Sequence, residues 1–405
     1  MKIINKIFTI ILIFFLSTSY SRASLFNNNT LKGNITDAST GKPIRNVNIY
    51  LAYTMTGTTS DENGNFKINN IAQGTYDIIF SHVNYKKQNF SFQIIEGKNL
   101  QFTIKLIPKI YELEPVPVVS DIDDWESNLK KFKERLIGTS TFADKMELTN
   151  PEIIDFSENE IGNLIASANK PLLLINNALG YKVTYYLEYF EADPLNTKYS
   201  GVPFFEELKT ENVSLKEKWS ANRKKAYLGS LRHFLTLVCA NYDSSIYYKK
   251  GIDSLSIQPI FHDSDIENFK SKLDYFSNNN YFTENGYIIL TNSKFDNKYV
   301  KSTFISININ NYLTEGNTTN ELFINSLNNL VVRYNRENPD ENYYTKAKDF
   351  EKNQYPISSI DFLADSVSID KKGRYFDKFM IRAYGYWAFE RLAETVPYEY
   401  EPEDE

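Results

Sequence analysis

Apolar and polar positions alternate with a period of two through residues 31–106, and turn residues interrupt the alternation every few positions. Val47, Ile49 and Leu51 share one side, and Asn46, Asn48 and Tyr50 the other. Phe66 and Ile68 flank Lys67 in the same way. Tyr76, Ile78 and Phe80 line one face, and Phe90, Phe92 and Ile94 another. This period belongs to half-buried antiparallel strands. The turns have their own chemistry. Asn63-Gly64 can both take positive φ, which suits a tight hairpin, and Gly41-Lys42-Pro43 supplies a flexible bend followed by a fixed φ. About seven short strands over this length predict a β-sandwich rather than an open sheet.

The texture then changes. Residues 107–120 hold Pro108, Pro115 and Pro117 among valines, which predicts an extended linker. From Asp121 a helical period begins, with Trp125, Leu129, Phe132 and Leu136 on one face and Gly138 as a stop. Asn150-Pro151-Glu152 opens a new element, and Tyr181–Phe190 reads as a strand. Residues 216–240 are predicted as one helix, because Trp219, Arg223, Tyr227, Ser230 and Phe234 recur at steps of three and four. Short strands such as 287–290 and 304–307 alternate with Asn-rich turns further on. Residues 121–400 are therefore read as an α+β, or mostly β, domain.

Within the first segment, several pieces carry a family resemblance. They are Gly33, Asp37, Gly41-Lys42-Pro43-Ile44, Val47, Gly57-Thr58-Thr59, the run Asp61–Phe66, Gly74-Thr75-Tyr76 and Ser81. Together they resemble the carboxypeptidase-regulatory-like domain, a transthyretin-like seven-strand sandwich. Asn84 departs from the pattern, since the family carries Gly before the aromatic at Tyr85; Asn tolerates the left-handed region and can keep that turn. The resemblance implies an accessory module without peptidase chemistry of its own. The remainder resembles a group of exported Bacteroidetes proteins that join this module to a C-terminal region of unassigned role. The phrases that carry this are Trp125 with the run Asn128–Phe132, Asn150-Pro151-Glu152, the run Asn176–Tyr181, and Trp219 through Ala226-Tyr227-Leu228-Gly229-Ser230 to Arg232-His233-Phe234-Leu235. Gly385-Tyr386-Trp387 with Glu390-Arg391 completes the set. It implies a Gram-negative envelope location and brings no catalytic residues to carry over.

Charge and the N-terminus sharpen the address. The net charge of −6 speaks against a nucleic-acid partner, which needs a concentrated basic surface, and none is expected. Lys2 and Lys6 precede an apolar run at residues 7–16, and Ser21-Arg22-Ala23 follows, which predicts an export signal at 1–23 cleaved after Ala23. The apolar run is shorter than the ~20 residues of a spanning helix, so the mature chain is not read as an integral membrane protein. The mean hydropathy of −0.43 and the predicted helix at 216–240 speak against an outer-membrane barrel.

Candidate chemistry is sparse. Cys239, the single cysteine, sits in the apolar run 235–240 and reads as a buried thiol. None of His82, His233 and His262 has a glutamate three or four residues on, as a zinc peptidase helix needs. His262 with Asp265 is the metal candidate, against a helix-capping reading of the same loop. The run Asp61–Asn65 resembles the start of a calcium loop, but Ala72 stands where the bidentate Glu is required, so a hairpin turn is the reading. Ser230 and His233 fall three apart on the predicted helix, and with Arg223 form the catalytic candidate; Gly229-Ser230-Leu231-Arg232 lacks the second glycine of a nucleophile elbow. The structural alternative is that Arg223, Arg232 or His233 pins the helix to a neighbouring loop. The aromatic share of 15% leaves two clusters, Tyr185, Tyr186 and Tyr189, and Tyr384, Tyr386 and Trp387, that either fill a core or stack on a sugar or protein partner. No cofactor is expected. The reading is a non-enzymatic exported envelope protein: the sandwich docks, and the C-terminal domain binds a protein or glycan. The alternatives are a hydrolase centred on Arg223 and His233, and an outer-membrane transport accessory.

Overall fold

The alternating segments become seven strands: β1 (Leu31–Asp37), β2 (Asn48–Leu51), β3 (Gly57–Thr59), β4 (Asn65–Ile68), β5 (Gly74–Ser81), β6 (Gln88–Ile94) and β7 (Leu100–Leu106). They build two sheets, β4-β1-β7 and β3-β2-β5-β6. The side chains that alternate inward meet in one core, including Leu31, Ile35, Val47, Ile49, Ile78 and Phe80, each fully buried. The sandwich predicted from the pattern is the observed one, with one difference: β1 and β7 pair parallel, not antiparallel. Alternation reports which face is buried and is silent on strand direction. In the predicted hairpin only Gly64 takes positive φ, at +75°; Asn63 does not, because Asp61 Oδ1 accepts from the amides of Asn63 (2.9 Å) and Asn65 (2.8 Å) and closes the turn itself. Asn84 likewise avoids positive φ. Its amide donates to His82 Nδ1 (3.2 Å), and the Tyr85 amide donates to the His82 carbonyl (3.1 Å), so the turn needs no left-handed residue. Residues 107–109 stay with the sandwich: Pro108 bridges Tyr85, and Lys86 donates its amide to the Ile107 carbonyl (2.8 Å).

This is a computed structural model, and it describes residues 29–95, 97–109, 122–240, 242, 287–292, 304–306, 309–317, 320–325, 330–334, 336–346, 355–376 and 379–402. The chain forms two compact units, one of residues 1–52 and 56–112, the other of 53–55 and 113–405. The signal segment, most of the 107–120 linker, and His262 and Asp265 lie outside the described residues.

The second unit begins with α1 (Ile122–Leu136), whose Phe132 and Leu136 are fully buried, as the helical period predicts. Strands β8 (Met146–Leu148), β9 (Ile154–Glu158), β10 (Leu164–Ala168), β11 (Leu172–Asn176), β12 (Tyr181–Ala192) and β13 (Thr197–Glu207) form a six-stranded sheet. Tyr53 and Thr54 belong to this unit and line the β13 edge: the Tyr53 amide donates to the Pro203 carbonyl (2.8 Å), and Phe205 donates to that of Thr54 (3.0 Å). Two helices follow, α2 (Val213–Tyr227) and α3 (Leu231–Ala240).

The rest is β-rich: β14 (Tyr287–Asn292), β15 (Phe304–Ser306), β16 (Leu313–Glu315), β17 (Glu321–Asn325), β18 (Leu330–Tyr334), α4 (Glu341–Lys346), β19 (Ile357–Phe362), β20 (Ser366–Asp370), β21 (Ile381–Gly385) and α5 (Tyr386–Phe389). They assemble as β15-β14-β18-β19-β21 and β16-β17-β20. Two cores result. One joins α1 to the six-stranded sheet and to Leu392, Ala393 and Val396; the other joins α3 to the later strands and Trp387. Among the described residues no helix is long and apolar enough to cross a membrane.

Candidate functional site

The single helix expected over 216–240 is two. Leu228 leaves α2 at ψ 135°, Gly229 takes φ +81°, and Ser230 starts α3. A Cβ at Gly229 would come within 2.7 Å of the Tyr334 ring and 2.8 Å of Glu337 Oε2, so the break requires glycine both for its φ and for its lack of a side chain. Ser230 Oγ accepts from the His233 amide (3.1 Å) and donates to the Tyr227 carbonyl (2.7 Å), which makes it the cap of α3. It is therefore not in line to receive base assistance from the His233 ring.

His233 is buried between the rings of Tyr227 and Tyr334. Its Nδ1 accepts from the Gly229 amide (3.1 Å), which places the ring proton on Nε2. Burial, and secondarily Arg336, pushes its pKa down to about 4, so the ring is neutral at physiological pH. Arg223 faces elsewhere. Its Nε donates to the Leu179 carbonyl (2.7 Å), Nη2 to that of Gly180 (3.3 Å), and Nη1 pairs with Glu207 (2.6 Å), while the guanidinium lies 4.0 Å from the Tyr181 ring centre. Arg223, Ser230 and His233 thus do not converge on a common point.

Arg232 is the more heavily engaged cation. It donates to the carbonyls of Lys372 (3.1 Å), Val396 (3.1 Å), Pro397 (2.8 Å), Tyr398 (3.1 Å) and Tyr400 (3.2 Å). All five donors of a guanidinium can be used this way without a carboxylate partner. Of the two aromatic clusters, Tyr185, Tyr386 and Trp387 are core, and Trp387 Nε1 donates to the Gly229 carbonyl (2.8 Å). Tyr189 is 40% exposed and meets Phe379, 44% exposed, edge-on at 5.9 Å.

One cluster of ionisable groups has no counterpart in the sequence reading. Asp340 accepts from Thr141 through the amide (3.2 Å) and Oγ1 (2.6 Å), and its own amide donates to Tyr386 Oη (3.0 Å). Ser140 Oγ donates to Glu394, whose other oxygen accepts from the Arg391 amide (2.8 Å). Glu337 Oε2 is buried with no hydrogen-bond partner, and Glu390 completes the group. Burial raises the Glu337 carboxyl to about 8 against the partial relief of Lys225, and raises Glu394 to about 7 against the Ser140 and Arg391 hydrogen bonds. Glu390 is raised well above the usual range, by burial first and by Glu394 and Glu337 second. Groups so perturbed are candidates for acid–base work. The cavity they line leaves ≈ 10 Å³ for a water's centre, about one water's room. Among the described residues no three His, Cys, Asp or Glu side chains are placed to hold a metal ion. Ser140 and Glu394 are 254 positions apart, so no local signal announces their contact.

In the first unit, the motif residues Asp37 and Tyr85 meet. Asp37 Oδ1 accepts from the amides of Ser39 and Thr40 (both 2.8 Å), and Oδ2 accepts from Tyr85 Oη (2.9 Å). These bonds hold its carboxyl below the usual range. The acid closes a turn and is occupied by structure.

Residues 31–118 match the CarboxypepD_reg-like domain family. The seven strands, residues 31–106, lie within the matched range. Among curated proteins none matches the chain. Solved structures similar to parts of it include the major pilin subunit BcpA of Bacillus cereus (16% identity, TM-score 0.19, covering 20% of this chain and 31% of that one). They also include the 5-hydroxyisourate hydrolase of Klebsiella pneumoniae (19%, TM-score 0.18, covering 20% and 91%). A DUF3823 family protein from Bacteroides ovatus is a third (8%, TM-score 0.14, covering 45% and 82%). The chain spans less than a third of the BcpA subunit, and similarity at these scores says nothing of activity.

Proposed function

We propose that this chain is an exported protein of the Gram-negative cell envelope that binds a protein or glycan without transforming it. The CarboxypepD_reg-like domain serves as the docking module and the C-terminal region as the binding part. One observation carries the reading: Arg223, Ser230 and His233, the side chains whose pattern raised a hydrolase, are each engaged in holding backbone. The buried acidic cavity adds support, since it has room for about one water. The Tyr189–Phe379 pair offers a partner an exposed aromatic face. Glu191, which accepts from Asn159 (3.1 Å) and Asn163 (2.6 Å), lies alongside Tyr189 and bonds its hydroxyl. An aromatic plane beside carboxylate and amide groups suits a sugar face or a polar protein rim.

The test is to present the full chain to a glycan array and to detergent-solubilised envelope, with Tyr189→Ala and Phe379→Ala in parallel. A ligand retained by wild type and weakened about tenfold or more by either variant fits the proposal. A hydrolytic activity abolished by His233→Ala at unchanged stability overturns it. Export is tested by intact mass of protein recovered from native cells: a chain starting at Ser24 is expected, and one retaining Met1 defeats the signal reading.

A further inference from the structure

Sheet edges are where a folded protein either discourages or accepts another strand, because an edge offers a row of unpaired N–H and C=O groups. The described edges of this chain are discouraged in recognisable ways. Strands β3, β8, β15 and β16 have three residues each. Strands β4, β7, β9, β20 and β21 carry Lys67, Lys105, Asp155, Asp370 and Arg382. Strand β13 contains Pro203 and is lined by Tyr53 and Thr54.

Strand β6 has none of these devices. It is seven residues long, Gln88-Asn89-Phe90-Ser91-Phe92-Gln93-Ile94, without charge or proline. Among the described residues it pairs with β5 alone, over its whole length and with no bulge in the register. Phe90 and Phe92 remain half-buried, packed edge-on against Phe102 at 5.0 and 5.5 Å. Ser91 is exposed.

The strand is also matched to itself. Antiparallel pairing of two copies about Ser91 sets Phe90 opposite Phe92, Asn89 opposite Gln93, and Ser91 opposite Ser91. Aromatic meets aromatic, amide meets amide, and no like charges oppose, which is the pattern that stabilises cross-strand pairs. A two-fold axis through one residue is an isologous contact and closes on itself as a dimer rather than growing into a fibre. We propose that β6 is a dimerisation edge through which two copies of this chain join antiparallel about Ser91, fusing their four-stranded sheets into one continuous sheet. This goes beyond the binding function and does not depend on it.

Sedimentation velocity of the full chain across a wide concentration range tests the proposal. A concentration-dependent monomer–dimer equilibrium is expected. Ser91→Lys sets two ammonium groups face to face on the axis and raises the dimer dissociation constant at least about tenfold, while Ser91→Thr, a good strand residue, retains the dimer. Ser91→Cys gives a reading that survives a folding defect in the lysine variant. The native chain has one cysteine, Cys239, and it is buried, so a mild oxidant yields an interchain disulfide at the axis. Thr58→Cys on the β3 edge stays monomeric on the same non-reducing gel. A wild-type chain that is monomeric at every concentration overturns the proposal. So does a dimer indifferent to Ser91→Lys, or a Ser91→Cys chain that cross-links no more than Thr58→Cys.

Discussion

Glu337 sits where its carboxyl holds a proton near neutral pH, and the consequence for stability has a definite sign. Its folded pKa of about 8, and the value of about 7 at Glu394, lie above those of the unfolded chain. The folded state therefore binds more protons between those limits, and stability falls as pH rises. The contribution is complete below the unfolded carboxylate range of about 4.3 and is lost as pH passes through about 7 to 8. A series of melting temperatures from about pH 5 to about pH 9 should show this decline, and Glu337→Gln, which mimics the protonated form, should flatten it. A pH-independent melt, or one with a slope unchanged in the variant, would refute this account. His233 makes the opposite case: neutral, buried and accepting from Gly229, it is structural. His233→Ala leaves that amide without its acceptor and should cost about 1–3 kcal/mol in denaturant unfolding. Arg223→Ala should cost a similar ~1–3 kcal/mol rather than the larger penalty of a broken buried pair, because its partner Glu207 is 55% exposed.

At the scale of elements, the instructive case is the break between α2 and α3. The spacing of Trp219, Tyr227 and Phe234 continues across the break because both helices turn apolar side chains inward, Trp219 and Tyr227 on one and Phe234 on the other. Periodicity could not reveal that Tyr227 and Phe234 belong to different cores. Gly229 was the only local sign, and it becomes decisive only when Tyr334 and Glu337 press against it. Gly229→Ala is expected to destabilise by at least ~2 kcal/mol, from positive φ and overpacking together. Equilibrium denaturation measures this, and a neutral result would show that the α2–α3 junction can relax. The turn at Asp61–Asn65 shows the same limit on a smaller scale. Its location was legible from Asn63-Gly64, but its geometry depended on which atoms Asp61 Oδ1 captured.

For the whole molecule, the sandwich should be a folding unit of its own. Among the described residues, the fifteen buried side chains of its core all come from residues 31–106. Residues 29–112 expressed in isolation should therefore melt cooperatively, as small single domains do. Calorimetry is the check, and a broad non-cooperative transition would mean that the domain depends on the rest of the chain.

What the sequence by itself determined is the set of strands, their inward faces and the turn positions in residues 31–106, together with α1 and β12. Period and turn chemistry are local properties, and the sandwich core follows them. Tyr50, expected on the polar side of its strand, is nonetheless buried, as is its cross-strand neighbour Ile79, because alternation says which side chains share a face and not what covers that face. What only the tertiary structure decided is who neighbours whom: the parallel pairing of β1 with β7, the five carbonyls around Arg232, and the meeting of Ser140 with Glu394 across 254 positions. Hydrophobic alternation is indifferent to partner and direction. A carboxyl's proton affinity depends on the water and charge around it once distant segments have closed. The raised pKa of Glu337 and its neighbours is therefore a property of the folded chain that no stretch of its sequence carries alone.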